Sequence, residues 1–155
     1  MFDFLKKMLG GSNDSLLKPL MKQADAKYRA NRISEAKNLY AEAMKNDAQS
    51  APAALGYARA VAAAARTRDD FKAAYIAYSE VCKMDRSKDN FLKAGEFATK
   101  SRNYASAAKL YSAALAYFPK DDVVAGKLAD ALKNCGMNDL AAVYQLYKSS
   151  LTKSK

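Results

Sequence analysis

Residues 91–119 read FLKAGEFATKSRNYASAAKLYSAALAYFP, and the placing of their small and large residues decides the fold. Phe91, Ala94, Gly95 and Ala98 follow one helical period, and Tyr104, Ala107, Tyr111 and Ala114 follow a second. Asn103 stands where the second helix would start, and Pro119 stands beyond its end. The predicted helices, 88–101 and 104–117, have so short a connection that they must run antiparallel. Ala94-Gly95 and Ala107 let the two helices approach closely, while Phe91 and Tyr111 fill the space around that contact.

This arrangement resembles the tetratricopeptide repeat. In that pattern a large residue and Leu-Gly on a first helix precede Ala-x-x-x-Phe on a second, then Pro. Weaker copies surround it. Leu20, Ala24 and Tyr28 precede Ile33, Ala36, Tyr40 and Ala43. Phe71, Ala74, Tyr78 and Val81 follow a first helix marked by Leu55-Gly56 or by Ala58 to Ala62. Leu128-Ala129, Leu132 and Gly136 precede Leu140, Ala141 or Ala142, and Leu146. Anchored on Ala36, Ala74, Ala107 and Ala141, the periods are 38, 33 and 34 residues, and the four extra residues are expected in helix 51–67. The resemblance spans residues 15–151. It implies an all-α fold, a right-handed superhelical array of about four antiparallel helix pairs.

Reading outward, eight helices are predicted at 15–31, 33–47, 51–67, 70–84, 88–101, 104–117, 121–135 and 138–151. Ser50 is the expected N-cap of the third, with Pro52 tolerated in its first turn. Asp69-Asp70, Asn103, Asp121-Asp122 and Asn138-Asp139 mark other starts, and Pro19 falls in an opening turn. Residues 1–14 (MFDFLKKMLGGSND) read differently, as a short amphipathic peptide that Gly10-Gly11-Ser12 separates from the repeat region. Residues 152–155 form a basic tail. The longest apolar run, Ala60 to Ala65, is far short of a membrane span.

The composition removes much catalytic chemistry. There is no His, so the commonest general base and metal ligand is absent. Cys82 and Cys135 lack metal-ligand spacing and read as two small buried hydrophobes in a reducing, cytoplasmic setting. Gly10-Gly11 follows no strand and precedes no Gly-Lys-Ser/Thr, so it is no phosphate loop. No enzyme, metal, cofactor or small-molecule substrate is expected.

Tyr40, Tyr78 and Tyr111 share one register and are read as core. Tyr28, Tyr57, Tyr144 and Tyr147 fit the core pattern less well and are candidates for contact. In tetratricopeptide proteins the first helix of each pair lines a concave face that receives a peptide or helix. The resemblance turns Lys18, Met21, Lys22, Asp25, Arg29, Tyr57, Leu92, Lys93, Glu96, Lys100, Lys127, Asp130 and Lys133 toward that face, with alanines of helix 51–67 as a smooth floor; Lys22, Arg29, Tyr57, Lys93, Lys100, Lys127 and Lys133 are the candidate contacts. Such a groove suits an acidic or amphipathic segment of a partner protein, as an adaptor or chaperone-like module. Bacterial secretion chaperones with this repeat have similar length. The carboxylate clamp of one chaperone-binding subgroup is not matched, since Met21, Asp25 and Ala54 stand at or near its positions.

The net charge is +10, and residues 1–14 sum to zero, so the repeat region carries all of it. Its lysines are dispersed, which disfavours nucleic acid and favours an acidic protein or a membrane surface. A second class of function stays open: a homo-oligomeric or peripheral membrane scaffold. It would use Phe2, Phe4 and Leu5 together with Tyr144 and Tyr147. The last helix is apolar on more than one face, through Leu140, Val143, Leu146 and Leu151.

Overall fold

In a computed structural model the described residues are 2–153, with side chains from Ser15 onward, and they form eight helices. These are α1 (Phe2–Arg29), α2 (Ile33–Asn46), α3 (Ala51–Ala64), α4 (Arg68–Met84), α5 (Lys88–Lys100), α6 (Tyr104–Tyr117), α7 (Asp122–Asn134) and α8 (Asn138–Lys153). The chain divides into two compact units, Met1–Ala65 and Arg66–Lys155. In the first, α2 packs on both α1 and α3; in the second, each of α4 to α8 packs on the next.

Side-chain caps set the helix starts. The Ser50, Asn103 and Asp121 side chains accept from the amides of Ala53, Ser106 and Val124. At α4 the cap is Thr67 rather than Asp69-Asp70. Its hydroxyl accepts from the Asp70 amide while the Asp70 carboxylate accepts from the Thr67 amide, a reciprocal capping box. The first helices α1, α5 and α7 all end in the same turn. Asn31, Arg102 and Gly136 take φ of 58°, 59° and 78° there, and the next amide donates back to the carbonyl of Lys27, Ala98 or Leu132. By contrast, α3 ends on an extended Ala65.

Three expectations need correction. α1 runs through Gly10-Gly11 and holds Pro19 inside, so no helix break separates residues 1–14 from the repeat region. Glycine costs only about 1 kcal/mol in a helix and keeps its N–H, and the good helix formers Met8 and Leu9 precede the pair. The longer period also lies elsewhere. Ala74 is seventh in α4, whereas Ala36 and Ala107 are fourth in α2 and α6, so the extra turn opens α4 rather than lengthening α3. Residues 152–153 belong to α8 and not to a separate tail.

The core of each unit centres on a tyrosine. Tyr40 packs with Ala24, Ala36 and Ala60, and Tyr111 with Ala98, Ala107, Leu128 and Leu132. A Cβ on Gly95 would overlap the Tyr111 ring, and one on Gly56 would overlap the Tyr40 ring. The residue type is repeated but the geometry is not. Gly95 serves the tyrosine of its own pair, whereas Gly56 on α3 serves the tyrosine of the preceding second helix. Phe97 adds a stack between Phe71 and Tyr78, with centroid separations of 6.2 and 5.8 Å.

Candidate interaction surfaces

In the second unit, α5 and α7 carry charged side chains around a concavity of about 490 Å³. Lys100, Lys127 and Lys133 line it with Glu96, Asp130 and the rim of Tyr111. Three of the residues singled out in the sequence are therefore brought together. Lys93 does not line the cavity, but its Nζ lies 3.6 Å from Glu96 Oε2.

Glu96 and Asp130, which the resemblance also turns to this face, stand among the lysines. Glu96 Oε1 receives Lys100 Nζ at 2.9 Å. Burial alone would raise the Glu96 carboxyl, but Lys100 and then Lys93 outweigh it and hold it below the usual range. Lys100 also lies over the Phe71 and Phe97 rings, 5.7 and 5.2 Å from their centroids. Its charge is thus already engaged. Lys127 and Lys133 differ: among the described residues neither has a carboxylate within ion-pair distance. At the cavity wall, burial pushes the Tyr111 phenol up to about 12, and Glu96 and Asp130 add to that effect. It remains a neutral hydrogen-bonding group.

In the first unit a concavity of about 530 Å³ is lined by Leu17, Met21, Lys22, Asp25, Arg29 and Pro52, among others. Lys22 and Arg29 both line it. Tyr57 does not; it packs half-buried against the tyrosine core. Tyr28 likewise packs there, with the Arg59 guanidinium 5.3 Å from its ring centroid. The Tyr40 hydroxyl donates to Asp25 Oδ1 at 2.6 Å, and burial with this acceptor raises the phenol well above its ordinary value. The expected alanine floor on α3 is absent. Ala53, Ala54, Ala58 and Ala60 are buried, because small side chains are what permit close helix contact.

The thiols divide. Cys82 is buried, which pushes its pKa up to about 12, whereas Cys135 is exposed at the end of α7 and corrects the reading of two buried hydrophobes. Among the described residues no cluster of His, Cys, Asp or Glu could hold a metal ion, and no helix is long and apolar enough to cross a membrane.

Of the expected assembly residues, the side chains of Phe2, Phe4 and Leu5 lie outside the described residues. Tyr144 packs half-buried on the second core, and the Tyr147 hydroxyl donates to the Pro119 carbonyl at 2.5 Å. Both are held by their own unit. The exposed apolar side chains of α8 are Leu140, Val143 and Leu146.

No family model matches the chain, and no curated protein does. Solved structures do resemble it. A crystal structure of MamA protein aligns at TM-score 0.71 and 17% identity, over 90% of this chain and 74% of that one. Another MamA structure, AMB-1 in form P212121, aligns at 0.73 and 11%, over 90% and 74%. YrrB, described as a TPR protein with an unusual peptide-binding site, aligns at 0.66 and 19%, over 86% and 67%. With its small-residue and tyrosine register and its helices packed consecutively within each unit, the chain has the fold of a tetratricopeptide-repeat protein with several repeats.

Proposed function

We propose that the chain is a non-catalytic protein-interaction module. Its first helices hold an acidic or amphipathic segment of a partner, in the manner of an adaptor or chaperone. The observation that carries this reading is the pair Lys127 and Lys133, two ammonium groups at one concavity that have no carboxylate within ion-pair distance among the described residues. A carboxylate of the partner supplies the missing charge, and the Tyr111 hydroxyl and the Asn134 amide offer neutral hydrogen bonds beside it. Asp130 sets a sign constraint, because it repels a partner that places acid at every position. The first-unit concavity, with Met21 and Leu17 beside Lys22 and Arg29, suits an apolar residue flanked by acid. The setting proposed is the reducing cytoplasm, supported by two cysteines that are both free.

The test is a quantitative pull-down from native lysate with the chain and its Lys127→Glu/Lys133→Glu variant as baits. Partners retained by the first and lost by the second, with unchanged helicity, support the proposal. An identical partner set on both baits overturns it.

A further inference from the structure

In the second unit, the start of α4 and the turn after α5 border a cavity of about 290 Å³, lined by Arg68, Asp69, Lys72, Ser101, Arg102 and Asn103. Three cations against one acid give its rim a net charge of +2. That acid does not neutralise them. Among the described residues, none of Arg68, Lys72 and Arg102 has a carboxylate within ion-pair distance. The neighbouring Asp70 is already engaged, because its Oδ2 accepts from the Arg66 and Thr67 amides at the start of α4.

The carbonyl end of α5 draws cations, and it accounts for one of the three. Arg68 Nε donates to the Ser101 carbonyl at 2.8 Å, which fixes that guanidinium at the cavity. The carbonyls of Phe97, Ala98 and Thr99 already accept from the amides of Ser101, Asn103 and Arg102, so the helix end needs neither Lys72 nor Arg102 as a cap. Arg102 also stands against local preference. Its φ is 59°, and its counterparts in the same turn are Asn31 and Gly136, residue types that enter this region readily. The backbone disfavours arginine there, so the side chain is what the position gains.

We infer that this cavity binds a phosphate dianion, free or as the end group of a small monoester. Charge and shape select this ligand. A dianion matches the rim charge, and the planar forks of two arginines suit phosphate oxygens. The volume lies at the small end of the roughly 300–1,000 Å³ of ligand pockets, which suits a single phosphoryl group. Asp69 disfavours a longer polyanion by repulsion. The neutral groups of the cavity are spent on the fold. The Asn103 amide donates to the Tyr75 hydroxyl while its oxygen caps α6, and the Ser101 hydroxyl donates to the Ala98 carbonyl. Affinity therefore rests on the three cations. None of these residues lines the concavity of Lys127 and Lys133, and the inference does not rest on the proposed binding function.

Titration of the full chain with inorganic phosphate at fixed ionic strength, followed by amide NMR, tests it. The expected result is saturable shifts centred on residues 68–72 and 101–103, with a Kd of about 1 mM or tighter. Acetate, a monoanion, should bind about tenfold more weakly or worse. Glycerol phosphate and inorganic phosphate are compared to identify the source: tighter binding of the first supports a monoester, and of the second free phosphate. Arg102→Gly separates ligand from fold. It should weaken phosphate binding about fivefold or more, yet raise Tm in phosphate-free buffer by about 2–4 °C, because glycine accepts the positive φ. Lys127→Glu/Lys133→Glu should leave phosphate binding intact. No saturable shift, shifts centred elsewhere, acetate binding as well as phosphate, or unchanged affinity in Arg102→Gly overturns the inference. So does a lowered Tm in Arg102→Gly, which would make the side chain a structural contact. Loss of binding on reversing the two lysines also overturns it, since the anion would then sit in their concavity.

Discussion

Gly95 on α5 lies so close to the Tyr111 ring on α6 that a single added Cβ would occupy the space of the ring. The ring is 2% exposed and packed among Ala98, Ala107, Leu128 and Leu132, so it can shift only by giving up those contacts. Gly95→Ala is therefore expected to destabilise the fold by about 1–3 kcal/mol, despite alanine's better helix propensity. Gly126→Ala is the control. The atoms nearest its Cβ would be those of the flexible end of Lys148, at 3.0–3.2 Å, which can move aside. That substitution should be neutral or stabilising by up to about 1 kcal/mol. Urea unfolding of both variants checks the pair, and equal midpoints would contradict this packing.

The same tyrosine gives an alkaline signature. Burial raises the Tyr111 phenol from 10 to about 12, and burial with Asp25 raises Tyr40 in the same direction. The unfolded chain loses these protons near pH 10 while the folded chain keeps them. Stability is therefore fully present below pH 10 and falls as pH rises toward about 12. Tyr111→Phe and Tyr40→Phe should each flatten that fall, whatever they cost at neutral pH. Tyr40→Phe also removes the donor to Asp25, a hydrogen bond worth about 1 kcal/mol. Unfolding free energies from pH 8 to 12 read both effects, and unchanged slopes would refute them.

Helix starts were legible in the sequence where one polar residue stood alone before an apolar period. Ser50 and Asn103 do so and cap, and Asp121, the first of an Asp pair, caps as well. Thr67 was obscured because Asp69 and Asp70 follow it after a single residue, and any of the three could accept from a first-turn amide. The tyrosine register was legible because Tyr40, Tyr78 and Tyr111 recur at one offset from an alanine. What that register does not encode is which glycine faces which ring, since Gly56 and Gly95 answer to tyrosines on opposite sides in chain order. Lys100, Lys127 and Lys133 were found by their place on first helices. The resemblance turned Glu96 to the same face, but an acid four residues before a lysine reads as ordinary helix surface, and only the folded pair shows the charge of Lys100 to be spent internally. Tyr57 and the alanines of α3 misled for one reason: a helix packed on two sides leaves little of itself for a groove.

Asp121 joins two stabilising contacts. Its Oδ1 accepts from the Val124 amide at 3.0 Å, and its Oδ2 accepts from Lys88 Nζ at 2.8 Å, linking the starts of α7 and α5. Burial would raise this carboxyl, but Lys88 and the Val124 amide prevail and hold it below its ordinary value. Its contribution is then present above the ordinary carboxylate range and is lost as pH falls through the lowered folded value. Asp121→Ala removes cap and ion pair together and should cost about 1–2 kcal/mol, whereas Asp121→Asn keeps the cap and should cost less than about 1. Acid titration of stability should be shallower in both variants. An Asn variant as damaged as Ala would show that the ion pair, not the cap, dominates.

The two cysteines should separate in a thiol titration. Cys82 is buried, and with a pKa of about 12 only about one molecule in ten thousand carries a thiolate at pH 8. Burial also blocks the approach of a reagent. Cys135 is exposed where α7 ends before Gly136, so no such barrier protects it. A disulfide reagent at pH 8 should therefore consume one thiol per native chain rapidly and the second only in denaturant. Cys135→Ser should abolish the rapid phase, and Cys82→Ser should leave it unchanged. Because Cys82 reacts only through opening of the second unit, Gly95→Ala should accelerate its slow phase in proportion to the lost stability. A slow phase unmoved by Gly95→Ala would mean that Cys82 is reached by a local opening that leaves the α5–α6 contact intact.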